Sequence, residues 1–395
     1  MAGNTKKFLK GDISPPLQTK LREAIPVTGS IVSGTYAAPD GTGTTSNIKN
    51  YTHGMFQTIF DYPYASSSAN DLFDMTAGYS IYSSLDGITG EISASKKNNI
   101  YNEMSQVLVG FDQTGSIERF DKDGDLTGGA KFDEVLVLNI SRLLAKDGIQ
   151  KGIFNLEMGV SGGVSASHGW TAGTFSERIT IKDTNGTSSY KVNSPKGEYG
   201  ILYASNSQGT PLDGYTSSTQ APCGLLYYQA GVAILSASMF MPTSSGGLLS
   251  ASSQASTVQT NYMLWNSASA PASYGAGSWN IKDSLTSGSL TSPCEGFRHR
   301  FYNLSFNNET ILNSTMYDCI VSGRDFNYST NPTYLSGSQI IVKNNDPSEQ
   351  TPPKTFITTV GLYNSKHELM AVAKLSKPIE KNPTISVFFK VRLDY

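Results

Sequence analysis

Three carboxylates recur at every second residue in FDKDGDLTGGAKFDE: Asp121, Asp123 and Asp125. Hard oxygen donors at that spacing can converge on one divalent cation in a tight loop, and calcium is the cation such a set suits. An EF-hand loop also needs glycine at its sixth position and glutamate at its twelfth. Leu126 and Phe132 stand at those places, so the stretch is not an EF-hand. Two readings remain. One is an Asp-rich calcium turn built on Asp121, Asp123 and Asp125; the other is an exposed Asp-Gly turn that needs no ion. Short motifs of this kind often match by chance, so the ion-free turn is favoured, and calcium is the only cofactor suggested.

The remaining reactive residues lack the spacing of a catalytic device. His53, His168, His299 and His367 form no HExxH or HxH pair, which argues against a metallohydrolase. There is no GxSxG elbow, and Cys223, Cys294 and Cys319 sit in no protease or zinc spacing. SGGVSASHGW sets Ser161, Ser165 and His168 close together. A nucleophile and its base meet in space rather than in sequence, and a Gly/Ser turn anchored by Trp170 accounts for the stretch. GTGTTSN and TGG lack the preceding strand and Lys-bearing helix of a phosphate loop. Asp133-Glu134 would serve glycoside hydrolysis only with carboxylates facing each other across about 5–9 Å. Trp170, Trp265 and Trp279 would line a glycan-binding face or simply pack. Taken together, the residues point away from an enzyme.

The elements that must position these residues are mostly strands. Of 395 residues only 16% are charged, while Gly (38), Tyr (21) and Phe (17) are abundant. That composition suits a β-rich, turn-rich chain. The net charge of −2 offers nucleic acid no basic field. MAGNTKKFLKGD has no apolar region of a secretory signal, so three reduced, mostly buried thiols in a protein made in a cytoplasm are expected. Gly224–Met241 is about long enough to suggest a membrane span. Gln229, Ser236 and Ser238 interrupt it, and buried strands are expected instead.

Residues 1–50 read as an extended N-terminal arm that orders on a neighbour. Residues 51–159 read as an α+β domain. Ile100, Met104, Val107, Leu108 and Phe111 share one helical face, predicting an amphipathic helix near 99–110, capped by Asn98 or Asn99 and stopped by Gly110. Strands are expected at Glu134–Ile140, Gly152–Met158, Glu198–Ser205 and within Cys223–Ser238, with a short helix or wide turn at SRLLAKDG. Residues 160–294 read as a Ser/Gly-rich β insertion domain. Between Gly214 and Ile281 no residue is charged. Such a stretch is either a hydroxyl-hydrated β surface or a surface covered by another chain, since interface cores are depleted in Lys, Glu and Asp. Residues 295–395, beginning with the alternating FRHRFYNLSFN, read as a C-terminal antiparallel β-sandwich domain. The fold class expected is mainly β with minor α.

Near the C-terminus, GLYNSKHELMAVAKLSKP places two apolar runs around Ser365-Lys366-His367-Glu368. The pattern is a β-hairpin, with Leu362, Leu369 and Val372 expected to face a core. It resembles a hairpin module of tail, baseplate and tail-fibre proteins of contractile-tailed bacteriophages, of the form E/V-GLYD-x-x-G-x-L-x-AVA-x-x-P. Gly361, Leu362, Tyr363, Leu369, Ala371, Val372, Ala373 and Pro378 match; the turn departs from the usual Asp-x-x-Gly. The final VFFKVRLDY fits the same ending. DYPYASSSANDLFD, NNIYNEMSQVLVGFD, SRLLAKDGIQKGIFNLEMG, EYGILYAS, CGLLYYQAGVAIL and GRDFNYSTNPTY resemble virion structural proteins of T4-like phages of the cyanophage type, so the likeness is scattered over roughly residues 55–395.

The resemblance implies a structural virion subunit, assembled in the host cytoplasm and placed in the tail, first of all the baseplate wedge region. It carries no catalytic residues. Its partners would be other virion structural proteins and copies of itself, with no nucleic acid and no membrane span. The alternatives are a neck, collar or capsid-associated protein, or a tail adhesin that binds a host-surface receptor or glycan.

Overall fold

In a computed structural model of the chain, the described residues are 5–31, 46–86, 92–161, 177–212, 221–241, 246–248, 281–287, 290–329, 331–336, 339–340 and 354–395. The fold is mainly β, with antiparallel ladders and few helices. The chain divides into two compact units, one of Arg22–Thr310 and one of Met1–Leu21 with Ile311–Tyr395.

The larger unit is built on one sheet. Its strands run in the order β13 (Phe301–Val321, entering from this unit), β7 (Asn155–Ser161), β8 (Glu177–Lys182), β10 (Gly197–Asn206), β11 (Pro222–Tyr227), β12 (Val232–Ser236), β5 (Glu134–Ile140), β4 (Asp71–Tyr79), β3 (Gln57–Phe60) and β2 (Ile48–Asn50). The short strands β6 (Gly148–Ile149) and β9 (Lys191–Ser194) pair with β13 and β10. Strand β12 lies against β5 with Leu235 opposite Leu136. This ladder crosses the boundary at 159/160 suggested by composition. Backbone pairing, and not the change to Ser and Gly, decides what folds together here.

The central strands bury both faces. Val135 and Val137 belong to one apolar cluster, and Leu136, Leu138 and Ile140 to another. Leu225 and Tyr227 join the first, Leu226 and Tyr228 the second. Successive side chains of a strand point to opposite faces, so a strand covered on both sides reads as an unbroken apolar run. This explains the uncharged stretch as far as it is described. Residues 223–228 and 232–235 are buried in the chain's own core, not held against a second chain. Residues 214–220, 242–245 and 249–280 lie outside the described residues. Gly224–Met241 forms β11, β12 and a 3-10 turn, as buried strands predict, and no helix among the described residues is long and apolar enough to cross a membrane.

Helix α1 (Ile92–Leu108) packs on β4. It begins well before the expected position 99. Lys97, Ile100, Tyr101, Ser105 and Leu108 face inward, while Val107 and Phe111 are exposed, so the helical face read from sequence is rotated. Gly110 ends the helix as expected, with φ +101 and its N–H donated to Ser105 O at 3.1 Å. The SRLLAKDG stretch contains the single-turn helix α2 (Arg142–Ala145). Strand β7 begins three residues later than expected because the Gly152 and Phe154 N–H groups are given to Asp183. Helices α3 (Ile281–Ser287) and α4 (Thr291–Arg300) follow. Helix α4 takes the start of the stretch expected to be strand; Pro293 sits in its first turn, where a missing N–H costs nothing.

In the smaller unit, the second half of β13 pairs with β18 (Val387–Asp394), Ser314 opposite Asp394 and Val321 opposite Val387. N-terminal residues join the same strand: Ile13 bridges Tyr317, Ser14 N–H donates to Met316 O, and Asp318 N–H donates to Asp12 O. Strand β1 (Leu17–Pro26) neighbours β13 and is exposed along nearly its whole length. Two ribbons complete the unit, β14 (Leu335–Ser336) with β15 (Gln339–Ile340), and β16 (Thr355–Tyr363) with β17 (Leu369–Lys381).

Candidate functional site

Phe120 and Phe132 are buried in the core cluster of Val135 and Val137 and pinch off the loop between them. Phe132 N–H donates to Phe120 O at 2.8 Å and Lys122 N–H to Ala130 O at 3.1 Å. Tyr101 of α1 pins both ends: its hydroxyl donates to Phe132 O at 2.8 Å and accepts from Phe120 N–H at 3.3 Å. An anchored neck of this kind holds Asp121 to Lys131 in a fixed turn over the core.

Within that loop one oxygen from each of Asp121, Asp123 and Asp125 lies within 4.8 Å of the others. The carboxylates are shaped by local bonds. Asp121 Oδ2 accepts from Leu126 N–H at 2.7 Å, Asp123 Oδ1 from Asp125 N–H at 3.2 Å, and Asp125 Oδ1 from Thr127 N–H at 2.8 Å. Leu126 and Gly129 both take positive φ, 63 and 67, which the tight wrap requires. Asp123 and Asp125 face solvent, whereas the Asp121 side chain is only 1% exposed. Lys131 Nζ stands 3.4 Å from Asp121 Oδ2 and 3.6 Å from Glu118 Oε1. Asp121 Oδ1 is buried with no hydrogen-bond partner. A Cβ placed on Gly129 would lie 3.9 Å from both Asp121 Oδ1 and Asp123 Oδ2, so both oxygens lie beside this glycine.

Burial raises the Asp121 pKa, against the pull of the Leu126 N–H and the Lys131 ammonium. Asp125 is held below the usual carboxylate range by the Thr127 N–H and hydroxyl. Tyr199, whose hydroxyl donates to Gly124 O at 3.3 Å, is pushed up to about 12 by burial first and then by the three Asp charges. The triad expected from sequence is therefore brought together. Glu118, Lys131 and Tyr101 were not singled out beforehand. The signal for them is the Phe-Asp pair that flanks the loop on both sides, at 120–121 and 132–133.

Among the described residues, the other candidates are not assembled. His53 stacks on Tyr51 at 5.0 Å and accepts from Met55 N–H at 3.0 Å. His367 lies in an exposed turn at φ 62. Asp133 pairs with Arg119 at 2.9 Å, while Glu134 accepts from the Ser83 hydroxyl at 2.6 Å. Cys223 and Cys294 are buried and Cys319 is half-buried, all three as free thiols. Ser165, His168, Trp170, Trp265, Trp279 and the side chains of Ser161 and His299 lie outside the described residues.

The β16–β17 ribbon is the hairpin read from sequence, with Leu362 opposite Ala371 and Gly361 opposite Val372. Its departing turn is closed by Asn364, whose Oδ1 accepts from Lys366 N–H and Glu368 N–H, each at 2.9 Å. Leu362 is buried, but Leu369 and Val372 are about half exposed, contrary to expectation. A bulge between Leu362 and Tyr363 sets Leu369 opposite Tyr363 and Val372 opposite Gly361, so the two share one face of the ribbon, the face away from buried Leu362. Phe356, Tyr363, Met370 and Ile379 are exposed with them. Within the same unit a groove of about 680 Å³ is lined by Lys6, Phe8, Cys319, Leu362, Tyr363 and Phe389, among others.

No protein-family model, curated protein or solved structure matches the chain.

Proposed function

We propose that the chain is a non-enzymatic structural subunit of a tailed-phage particle, in the tail and first of all the baseplate wedge region, acting through contacts with other virion proteins and with copies of itself. The C-terminal region would be its antiparallel, sandwich-type tail module. The observation that carries this reading is the β16–β17 ribbon. Phe356, Tyr363, Leu369, Met370, Val372 and Ile379 stand exposed on it. A two-stranded ribbon is marginal in water, and exposed apolar patches mark sites of association. The same ribbon carries the residues that resemble the phage hairpin module. Strand β1, exposed with Leu17 and Leu21, offers further strand surface of the kind that a neighbouring chain can extend.

The test is incorporation into particles. Met370→Lys and Val372→Lys place charge on exposed positions of the ribbon. Expressed beside the phage lacking its own copy, the wild-type chain is expected to co-sediment with tails. The double variant, with an unchanged circular dichroism spectrum, is expected to stay in the soluble fraction. A chain absent from purified particles, or a double variant that is incorporated as well as wild type, sinks the proposal.

A further inference from the structure

We propose that the loop from Asp121 to Lys131 is a calcium-binding site, with Asp121, Asp123 and Asp125 supplying the protein carboxylates.

The spacing of the acids alone carries little, since acidic turns are common without an ion. The second observation is the state of Asp121. Its side chain is 99% enclosed by neighbours at 1% exposure, and Oδ1 has no hydrogen-bond partner. Buried polar atoms are otherwise nearly always paired, and leaving one unmade costs the desolvation of that group. Asp121 belongs to the set in which one oxygen from each of Asp121, Asp123 and Asp125 lies within 4.8 Å of the others, and its Oδ1, like Asp123 Oδ2, lies beside Gly129. A cation placed among the three carboxylates gives that oxygen its missing partner.

Among the described residues, the cations near the loop do not fill this role. Lys131 lies on the Oδ2 side of Asp121 and is shared with Glu118. Lys122 is turned to the ring of Phe132, with Nζ 5.5 Å from its centroid. Lys191 lays its aliphatic stem against Gly124, where an added Cβ would meet Cγ at 3.0 Å. With Glu118, the loop sets four carboxylates against the ammonium of Lys131, leaving an excess of negative charge for a divalent ion to balance.

Ligand type selects the ion. The loop contains no His or Cys, which disfavours zinc and other soft metals. Hard oxygens on a partly exposed turn suit Ca²⁺, which accepts irregular shells and completes them with water; Mg²⁺ demands stricter octahedral geometry. Three carboxylates on a surface loop correspond to the weaker range of protein calcium sites, about 10⁻⁴–10⁻³ M. Bound calcium would tie the loop together above Phe120 and Phe132 and so stabilise the core cluster they share with Val135 and Val137.

The experiment uses the full chain, stripped with chelator and titrated with CaCl₂, MgCl₂ and TbCl₃. Calcium is expected to raise the thermal midpoint saturably. Terbium is expected to show emission sensitised by Tyr199, which calcium displaces. Asp123→Asn, at an exposed position, is expected to weaken calcium binding roughly tenfold or more and to abolish the terbium signal, its fold being checked by circular dichroism. Three results would overturn the site: no midpoint shift and no terbium emission at about ten times the weakest affinity of that range; an Asp123→Asn chain that binds as tightly as wild type; or an equal response to Mg²⁺.

Discussion

Asp183 shows how a single buried carboxylate couples this fold to pH. It is fully buried where strand β8 ends. Its Oδ2 accepts from Gly152 N–H at 2.6 Å and from the Tyr228 hydroxyl at 3.0 Å, and its Oδ1 from Phe154 N–H at 3.2 Å. Burial raises its pKa more than these donors lower it. The folded state therefore keeps a proton that the unfolded chain, titrating at about 3.9, has already lost. Stability from this group is present below the unfolded value and is lost as pH rises through the raised one. Asp183→Asn turns an amide NH₂ toward one of the N–H donors and is expected to cost about 1–3 kcal/mol. It also removes the titration, so the gap in thermal midpoint between wild type and variant should shrink as pH rises from about 4 toward neutrality. Parallel midpoint-versus-pH curves would contradict this. Nothing in DTNG distinguishes the residue from an ordinary turn aspartate; only the return of Tyr228 and Gly152 to the same place does. Asp121, Asp123 and Asp125 were legible because their relation is local.

Elements divide in the same way. Strand β5 coincides with the expected Glu134–Ile140, because an unbroken run of β-formers announces itself. The start and facing of α1 were not legible, because they depend on β4. Gly78 lets the helix backbone approach: a Cβ there would meet Lys97 O at 2.7 Å and Tyr101 N at 2.9 Å. The helix must turn Lys97 and Tyr101 to the sheet, leaving Val107 outside. Gly78→Ala forces α1 away from β4 and is expected to destabilise the larger unit by about 1–3 kcal/mol. Chemical denaturation would read this as a lower midpoint at unchanged slope. A neutral result would mean that the helix tolerates displacement. Helix α4 was hidden because FRHRFYNLSFN alternates like a strand, although Pro293 upstream marks a first turn.

At the scale of the molecule, the chain makes its smaller unit from both ends. Residues 12–14 bond to Met316 and Asp318, and Lys6 Nζ donates to Ile320 O at 2.6 Å. Removing residues 1–14 takes away this side of β13, and amide exchange at Ser314–Val321 is expected to quicken while β4, β5 and β12 keep their protection. Uniform loss of protection, or none, would refute the division. Composition could not announce this closure, since the arm is polar and its partner lies some three hundred residues away.

The order of synthesis follows from that arrangement. A ribosome adding about 5–20 residues per second releases the arm on the order of 15–60 s before its partner strand. In that interval the residues of the large sheet are already out and free to pair, while the arm waits with open backbone groups. A chain that stops short of Met316 can still complete most of that sheet, but it lacks the strand to which residues 12–14 bond.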